Sequence, residues 1–383
     1  MRFLTAGESH GQCLTAIIEG LPAGLPIDVE RIDEEMARRQ QGYGRGGRMQ
    51  IEKDKVQILS GVRFGLTLGS PVTLAISNRD WPNWTDRMAV SGQKYGTPVT
   101  APRPGHADLT GVLKYDREDV RDILERASAR ETAARVAVGA VAKQLLAAVG
   151  SKVTSHVVNI GGVAIQGTRP DFASIARRRE KSDLGCIDAK AEERMRAVID
   201  IAKEQGDSLG GMVEVLADSI LPGLGSHVHW DRRLDTRIAA AMMSIPAIKG
   251  VEFGAGFAYA ELPGSKAHDE IYYDPGNGYC RSTNLAGGIE GGMSNGETIV
   301  VRAVMKPIPT LMKPLQSVDI ATHLPISAST ERSDVCAVPA AAVVGEAMTA
   351  IVLGQAIIEK FSSDCMNDLL AAVEQYKSRL SLA

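Results

Sequence analysis

Aromatic side chains make up only 4% of the 383 residues, so a core must be built from Ala, Val, Ile, Leu and Met. Cysteine is equally sparse. The five present (Cys13, Cys186, Cys280, Cys336 and Cys365) are scattered, odd in number and never spaced C-x-x-C. That excludes a disulfide framework or structural zinc site and points to a reducing, cytoplasmic setting. An excess of either charge is also missing: 43 Lys and Arg face 46 Asp and Glu, a formal net charge of −3. A general polyanion-binding surface is therefore not expected, and phosphate recognition would need locally gathered cations. No apolar run is expected to reach the length of a membrane span, and no secretory leader is visible. No G-x-G-x-x-G follows a strand with an acidic residue at the proper distance, and no Walker A sequence occurs. The common nucleotide folds gain no support.

Glycine is plentiful, and it punctuates places where polar residues collect. GESHG, residues 7–11, holds His10 between glycines directly after an apolar run, with no amphipathic pattern that would make it a core residue. Glycine lets the chain bend and a ligand come close. The pattern returns: GESHGQCLTAIIEG at 7–20 is echoed by GDSLGGMVEVLADS at 206–219, with Leu209 where the first has His10. If the shared turn is scaffold, that scaffold does not need histidine, and His10 is an added, functional part.

Helices are predicted over VERIDEEMARRQ, capped by Asp28 and ended by Gly42, and over a long Ala-rich stretch from near Asp119 to Gly150. A third opens at Asp188 and buries a Met195, Val198, Ile199, Ala202 stripe. LDTRIAAAMMSI, AVPAAAVVGEAMTAIVLGQAIIEKF and CMNDLLAAVEQYKSRL complete the set. LTAIIEG, KVQILSGV, VTLAI, KVTSHVVNIGGVAI, MVEVLADSIL and TIVVRAVM read as strands. This interleaving predicts a mixed α/β architecture. Three long loops, 42–49, 77–108 and 306–334, carry too many specific polar residues to be linkers.

Arg38, Arg39, Arg45, Arg48 and Arg103 gather where glycine is dense. They suit an oxyanion clamp, since guanidinium groups pair with phosphate or carboxylate; a solvated basic loop, or an RGG-type nucleic-acid segment, is the alternative. PRPGHAD adds a second loop histidine, His106, and two such histidines near anion-binding arginines suggest proton transfer. His227 and His229 would share a strand face, but no third ligand follows, so no metal is expected. Arg126, Ser128, Arg130 and Arg135 lie among small residues that allow close approach of either a flat ligand or a neighbouring helix. KPIPT supplies Lys306 and a hydroxyl on a proline-rigid loop, and STERSD brings Arg332 and Asp334 together. The residues alone reach a cytosolic α/β enzyme acting on a phosphorylated or carboxylated small molecule.

GESHG, RRQQGYGRGGRM, PRPGHAD, ERASARETAARVAVGAVA, GGMSNGE, KPIPT and RSDVCAVPAAAVVGEAM, in this order, resemble the chorismate synthase family from the first residues to beyond 350. The resemblance implies one domain over 1–383, of α+β class: a β–α–β sandwich with internal pseudo-symmetry and long functional loops, assembled as a homotetramer. It implies an anti 1,4-elimination of phosphate from 5-enolpyruvylshikimate 3-phosphate to give chorismate, the last step of the shikimate pathway. Reduced FMN would be required without net redox change, with NADPH acting only through a separate flavin reductase. Carried onto this chain, His10 would protonate the departing phosphate, His106 would serve the reduced flavin, and Asp334 would relay the proton from flavin N5. Arg39, Arg45, Arg48, Arg103 and Arg332 would hold the substrate. Arg126, Ala127, Ser128, Pro246, Ala247, Gly291, Lys306, Pro307, Ile308, Pro309, Thr310 and Arg332 would contact the flavin. No nucleic acid, membrane or metal partner is implied.

Overall fold

The computed structural model describes residues 1–46, 53–276, 278–331 and 333–381. Its first sheet takes the order β1 (Arg2–Ala6), β2 (Cys13–Glu19), β4 (Val72–Ser77), β3 (Val56–Ser60), every neighbour antiparallel. Along β2 the side chains alternate, Leu14, Ala16 and Ile18 facing inward, as a half-buried strand requires. The second sheet runs β8 (Ile248–Phe253), β9 (Ile299–Met305), β7 (Gly211–Asp218), β5 (Lys152–Ile160), β6 (Val163–Ala164), again antiparallel throughout. Antiparallel sheets make the class α+β and correct the mixed α/β reading.

Helices fill the space between the sheets. α1 (Val29–Gln40) begins where Asp28 accepts from the Glu30 and Arg31 amides. α4 (Thr132–Ala148) lies on β2 and β4, α8 (Val338–Phe361) lies on β5 and β7, and the two helices pack on each other with α1 beside both. The layers are therefore sheet, helices, sheet, around an apolar core that both sheets share. Scarce aromatics become intelligible here: a Cβ on Gly139 of α4 would come within 2.3 Å of the Ala347 Cβ on α8. Small residues let the helices nearly touch.

α8 corrects another expectation. It is long and apolar enough to cross a membrane, yet 89% of that window is buried inside the fold. An all-round apolar helix is what a middle layer demands. The long helix expected from Asp119 to Gly150 is also broken, into α3 (Arg121–Ala127), a single 3₁₀ turn over Ala129–Glu131, and α4. Ser128 stands extended at the break, with ψ of 141°. α2 (Asp108–Tyr115), α5 (Phe172–Arg179), β1 and β8 had no sequence-based counterpart, while α6 (Ala189–Glu204), α7 (Leu234–Met243) and α9 (Met366–Ser381) match theirs. His227 and His229 lie in bends before a 3₁₀ turn, not on a strand. The internal echo is real but local: Gly7 and Gly206 both adopt positive φ, and each turn leads into an interior strand, β2 or β7. What precedes differs, a strand in one case and α6 in the other.

The α4–α8 contact yields a test. Valine improves slightly on glycine's helix propensity, but overpacking here costs about 1–3 kcal/mol and outweighs it. Gly139→Val should lower the urea unfolding midpoint; an unchanged or raised midpoint would contradict the packing.

Candidate active site

Two histidine stations are built from loops at the ends of these elements. The turn between β1 and β2 is fixed by Gly7, where a Cβ would come within 2.4 Å of the Cys13 carbonyl oxygen. Asn78 Nδ2 donates to the Gly11 carbonyl at 2.7 Å. The turn then leans on the end of α3. Ser9 N donates to the Glu125 carbonyl at 3.0 Å, His10 N donates to Glu125 Oε2 at 2.8 Å, and His10 Nδ1 lies 2.9 Å from Glu125 Oε1. The break at Ser128 adds a fourth tie, Ser9 Oγ to Ser128 Oγ at 3.1 Å. Trp84 stacks on the imidazole with centroids 3.8 Å apart.

Arg121 reaches the same carboxylate at 2.9 Å, lies 5.0 Å from the Trp84 ring centroid, and touches Glu331 at 3.2 Å. Burial pushes the Glu125 carboxyl up, but the hydrogen bonds and charge of His10, with Arg121, outweigh it and hold the pKa below the ordinary value. The ionised carboxylate accepts from Nδ1, so Nε2 is the ring nitrogen that Glu125 does not engage.

At the second station Asp108, fully buried at the start of α2, is gripped by Arg103 in a fork: Nε to Oδ2 at 2.8 Å and NH2 to Oδ1 at 3.1 Å. His106 Nδ1 makes a short contact with Asp108 Oδ1. Burial raises the Asp108 carboxyl, but bonds from His106 and Arg103 drive it well below the usual carboxylate range. Arg103 NH1 donates to Thr310 Oγ1 at 2.9 Å, and Lys306 Nζ donates to the Gly105 carbonyl. The guanidinium expected to bind substrate is thus committed to orienting His106. Both imidazoles remain reachable, at 13% and 16% side-chain exposure for His10 and His106.

A third cluster joins them. Arg130 NH1 donates to both Asp54 oxygens, at 2.6 and 2.7 Å, and Arg39 faces the same carboxylate at 3.4 Å. Burial lowers the Arg39 guanidinium to about 10 against the pull of Asp54. Arg45 lies 3.3 Å from Asp334, whose other oxygen accepts from Gly46 N at 2.7 Å. Residues 329–331 and 333–335 touch these groups: Ser329 N donates to the Ala101 carbonyl, Glu331 meets Arg121, Asp334 meets Arg45, and Val335 N donates to the Gly44 carbonyl.

Of the expected flavin segments, 246–247 and 306–310 meet directly, while 126–128 lies against the turn between β1 and β2. Lys306 N donates to the Ala247 carbonyl at 2.9 Å, next to Pro246, and Ala247 holds a φ of 69°. Ser208 Oγ donates to the Ile308 carbonyl at 2.7 Å, pinning the loop of Pro307 and Pro309. Arg126 spends its guanidinium on the Thr5 and Gly7 carbonyls, beside Ala127 and Ser128. Gly291 turns the hairpin Ile289–Ser294 near the Ile299 end of β9, whereas Lys306 follows its Met305 end. Seven residues of strand separate them, roughly 20 Å, within one chain. Arg48 and Arg332 lie outside the described residues.

Sequence reasoning missed Glu125, Asp108, Trp84, Asp54 and Arg121. Asp108 was findable, two places after His106; Glu125 follows Arg121 by one helical turn. Trp84 and Asp54 join the site only through the fold.

Each of the two histidines is fixed by a buried carboxylate that an arginine also holds, an arrangement able to exchange protons. Similarity to known proteins narrows this. Residues 1–358 match the family model described as Chorismate synthase. Proteins named chorismate synthase from Trichlorobacter lovleyi and Geobacter sulfurreducens are each 57% identical, over 99% and 98% of both chains respectively. One from Brevibacillus brevis is 56% identical over 99% of both. A crystal structure of chorismate synthase superposes with a TM-score of 0.82 at 46% identity, covering 100% of this chain and 98% of that one. The chain belongs to the chorismate synthase family.

Asp108 and Glu125 generate a pH prediction. Both carboxyls are depressed in the folded state, so their stabilisation is complete above the ordinary values of 3.8 and 4.5 and is lost as pH falls toward the folded ones. Asp108→Asn should cost about 3–5 kcal/mol at neutral pH by stranding Arg103, and should flatten the acid limb of stability. Urea unfolding at pH 7 and at about pH 2.5, below the ordinary carboxyl values, checks both, and an unaltered acid limb would contradict the assignment.

Proposed function

We propose that this chain, a lyase of the shikimate pathway by its family, eliminates phosphate from 5-enolpyruvylshikimate 3-phosphate with His10 as the acid, and that it requires reduced FMN. The observation that carries the reading is the Glu125–His10–Trp84 arrangement, an imidazole held rigidly at one nitrogen and supported on an aromatic plane. The reaction 5-enolpyruvylshikimate 3-phosphate → chorismate + phosphate breaks the C3–O bond and removes a proton from C6.

His10 Nε2 donates a proton to the leaving phosphate, and the carboxylate behind Nδ1 stabilises the imidazolium that donates it. His106, similarly backed by Asp108, holds a proton for the reduced cofactor. Asp334, beside Arg45, takes up the proton lost in the elimination. Arg39, Arg45 and the arginines outside the described residues would meet the substrate's phosphate and carboxylates.

The site fits a flavin. Ala127, Ser128, Pro246, Ala247 and Lys306 to Thr310 offer small side chains, backbone polar groups and one cation. Buried Ser329 Oγ and Arg39 Nε have no hydrogen-bond partner among the described residues, as in a site completed by polar ligands. When bound, reduced flavin supplies transient electron density that eases loss of the allylic phosphate.

The same reading takes residues 1–383 as one catalytic domain in a cytoplasmic protein, supported by the shared core and five free cysteines. It takes the assembly as a homotetramer. Leu4 and Ile17, paired across β1 and β2, and Leu59 on β3 stay exposed on the first sheet, an apolar face suited to another copy. A monomer mass by light scattering would remove that part.

The test is anaerobic: protein, dithionite-reduced FMN and 5-enolpyruvylshikimate 3-phosphate. Chorismate and phosphate should appear together and only with reduced flavin. NADPH with oxidised FMN should not turn over unless a separate flavin reductase is added; steady NADPH consumption without one would contradict the reading. His10→Ala and His106→Ala should each lose about 10²–10⁴-fold in kcat with substrate binding retained. Glu125→Gln removes the anion that favours the imidazolium, so the alkaline limb of the kcat profile should move to lower pH. An unshifted limb would mean that Glu125 only props the turn.

A further inference from the structure

Behind α1, away from the two histidine stations, a small cavity of about 20 Å³ is lined by Arg38, Ser155, His156, Arg179 and Ser182, with Asp183 at its rim. Its walls belong to a charged cluster with a surplus of cations. Fully buried Glu346 of α8 is bonded by Arg38 NH2 at 2.7 Å, by Ser155 Oγ at 2.7 Å and by Lys143, with Arg179 at 3.9 Å. Glu35 meets Arg38 at 2.7 Å and Lys143 at 3.0 Å. Three cations thus face two carboxylates. Asp183 does not redress the balance, since it is half exposed and held by Arg196.

Three buried nitrogens here have no hydrogen-bond partner among the described residues: Arg38 Nε, Arg179 Nε and His156 Nδ1. The first two can only donate. His156 is 1% exposed, and its Nε2 is used by Glu214 at 3.1 Å, so Nδ1 is its remaining polar atom. A void holding one small species needs roughly 10–15 Å³. A water would satisfy the donors but would leave the surplus charge uncompensated, whereas buried charge is costly unless paired.

We propose that this cavity binds one monatomic anion of chloride size between Arg38 Nε and Arg179 Nε. Arg38 and Arg179 are 22% and 14% exposed, which gives the ion a route in. Seated there, the anion steadies the end of α1 from which Arg39 and the loop bearing Arg45 continue.

Crystals of the full chain grown in bromide should show anomalous density touching both Nε atoms; a cavity containing only water would overturn the proposal. In solution, replacing glutamate by bromide or chloride at equal ionic strength should raise Tm by roughly 2–4 °C. Arg179→Gln should abolish that increment, and a variant that keeps it in full would also overturn the proposal. Should Arg179→Gln fail to fold, the bromide crystals decide alone.

Discussion

The site depends on how closely α4 and α8 approach. With glycine against alanine at the crossing, the helical layer is thin enough for the two sheets to share one core, and the axial position of α4 is set by packing it cannot relax. The first turn of α4 is then anchored to the corner before β8, where Arg135 NH1 donates to Ser244 Oγ at 2.7 Å. Immediately upstream, the chain must turn out of helix at Ser128. That places α3 so that Glu125 faces the GESHG turn. A helix crossing far from the chemistry thereby determines where His10 stands.

Charge organises the remainder. Arg39, Arg45, Arg103, Arg121 and Arg130 are buried or nearly so, and each faces at least one of Asp54, Asp108, Glu125, Glu331 and Asp334. Unpaired, such guanidinium groups would be costly; paired, they form a frame that holds two imidazoles at fixed nitrogens. The arginine density that looks like a phosphate clamp in sequence is therefore largely internal. It sets histidine geometry first and offers residual positive field to an anionic substrate second.

Much of the fold was legible because local signals agreed with tertiary outcome. Asp28 and Asp188 cap where their spacing says they should, and β2 alternates as a half-buried strand must. The break at Ser128 was not legible: ERASARETAAR contains good helix formers, and the extended Ser128 is stabilised by the Arg130 amide and by Ser9, 119 positions away. β8 was missed because IKGVEF has neither alternation nor flanking turns of its own; its partner β9 defines it. In the site, glycine-flanked histidines and arginines announced themselves. Their carboxylate partners did not, since an Asp or Glu on a helix reads as a solvated residue until the fold buries it. Asp54 lies 76 positions from Arg130, and no spacing rule connects them.

The internal echo explains why only one of its turns carries histidine. In the first copy the serine and the following residue engage Ser128 and Glu125, and the side chain at position 10 is turned to chemistry. In the second, Ser208 holds the Ile308 carbonyl and Leu209 N donates to the Val335 carbonyl. Leu209 itself packs so closely that a Cβ on Gly161 would meet it at 3.0 Å. The second turn instead fixes the 306–310 loop and residues 333–335, the two stretches that bear Lys306, Thr310 and Asp334. One copy of the turn presents His10 to Glu125, and the other holds the 306–310 loop.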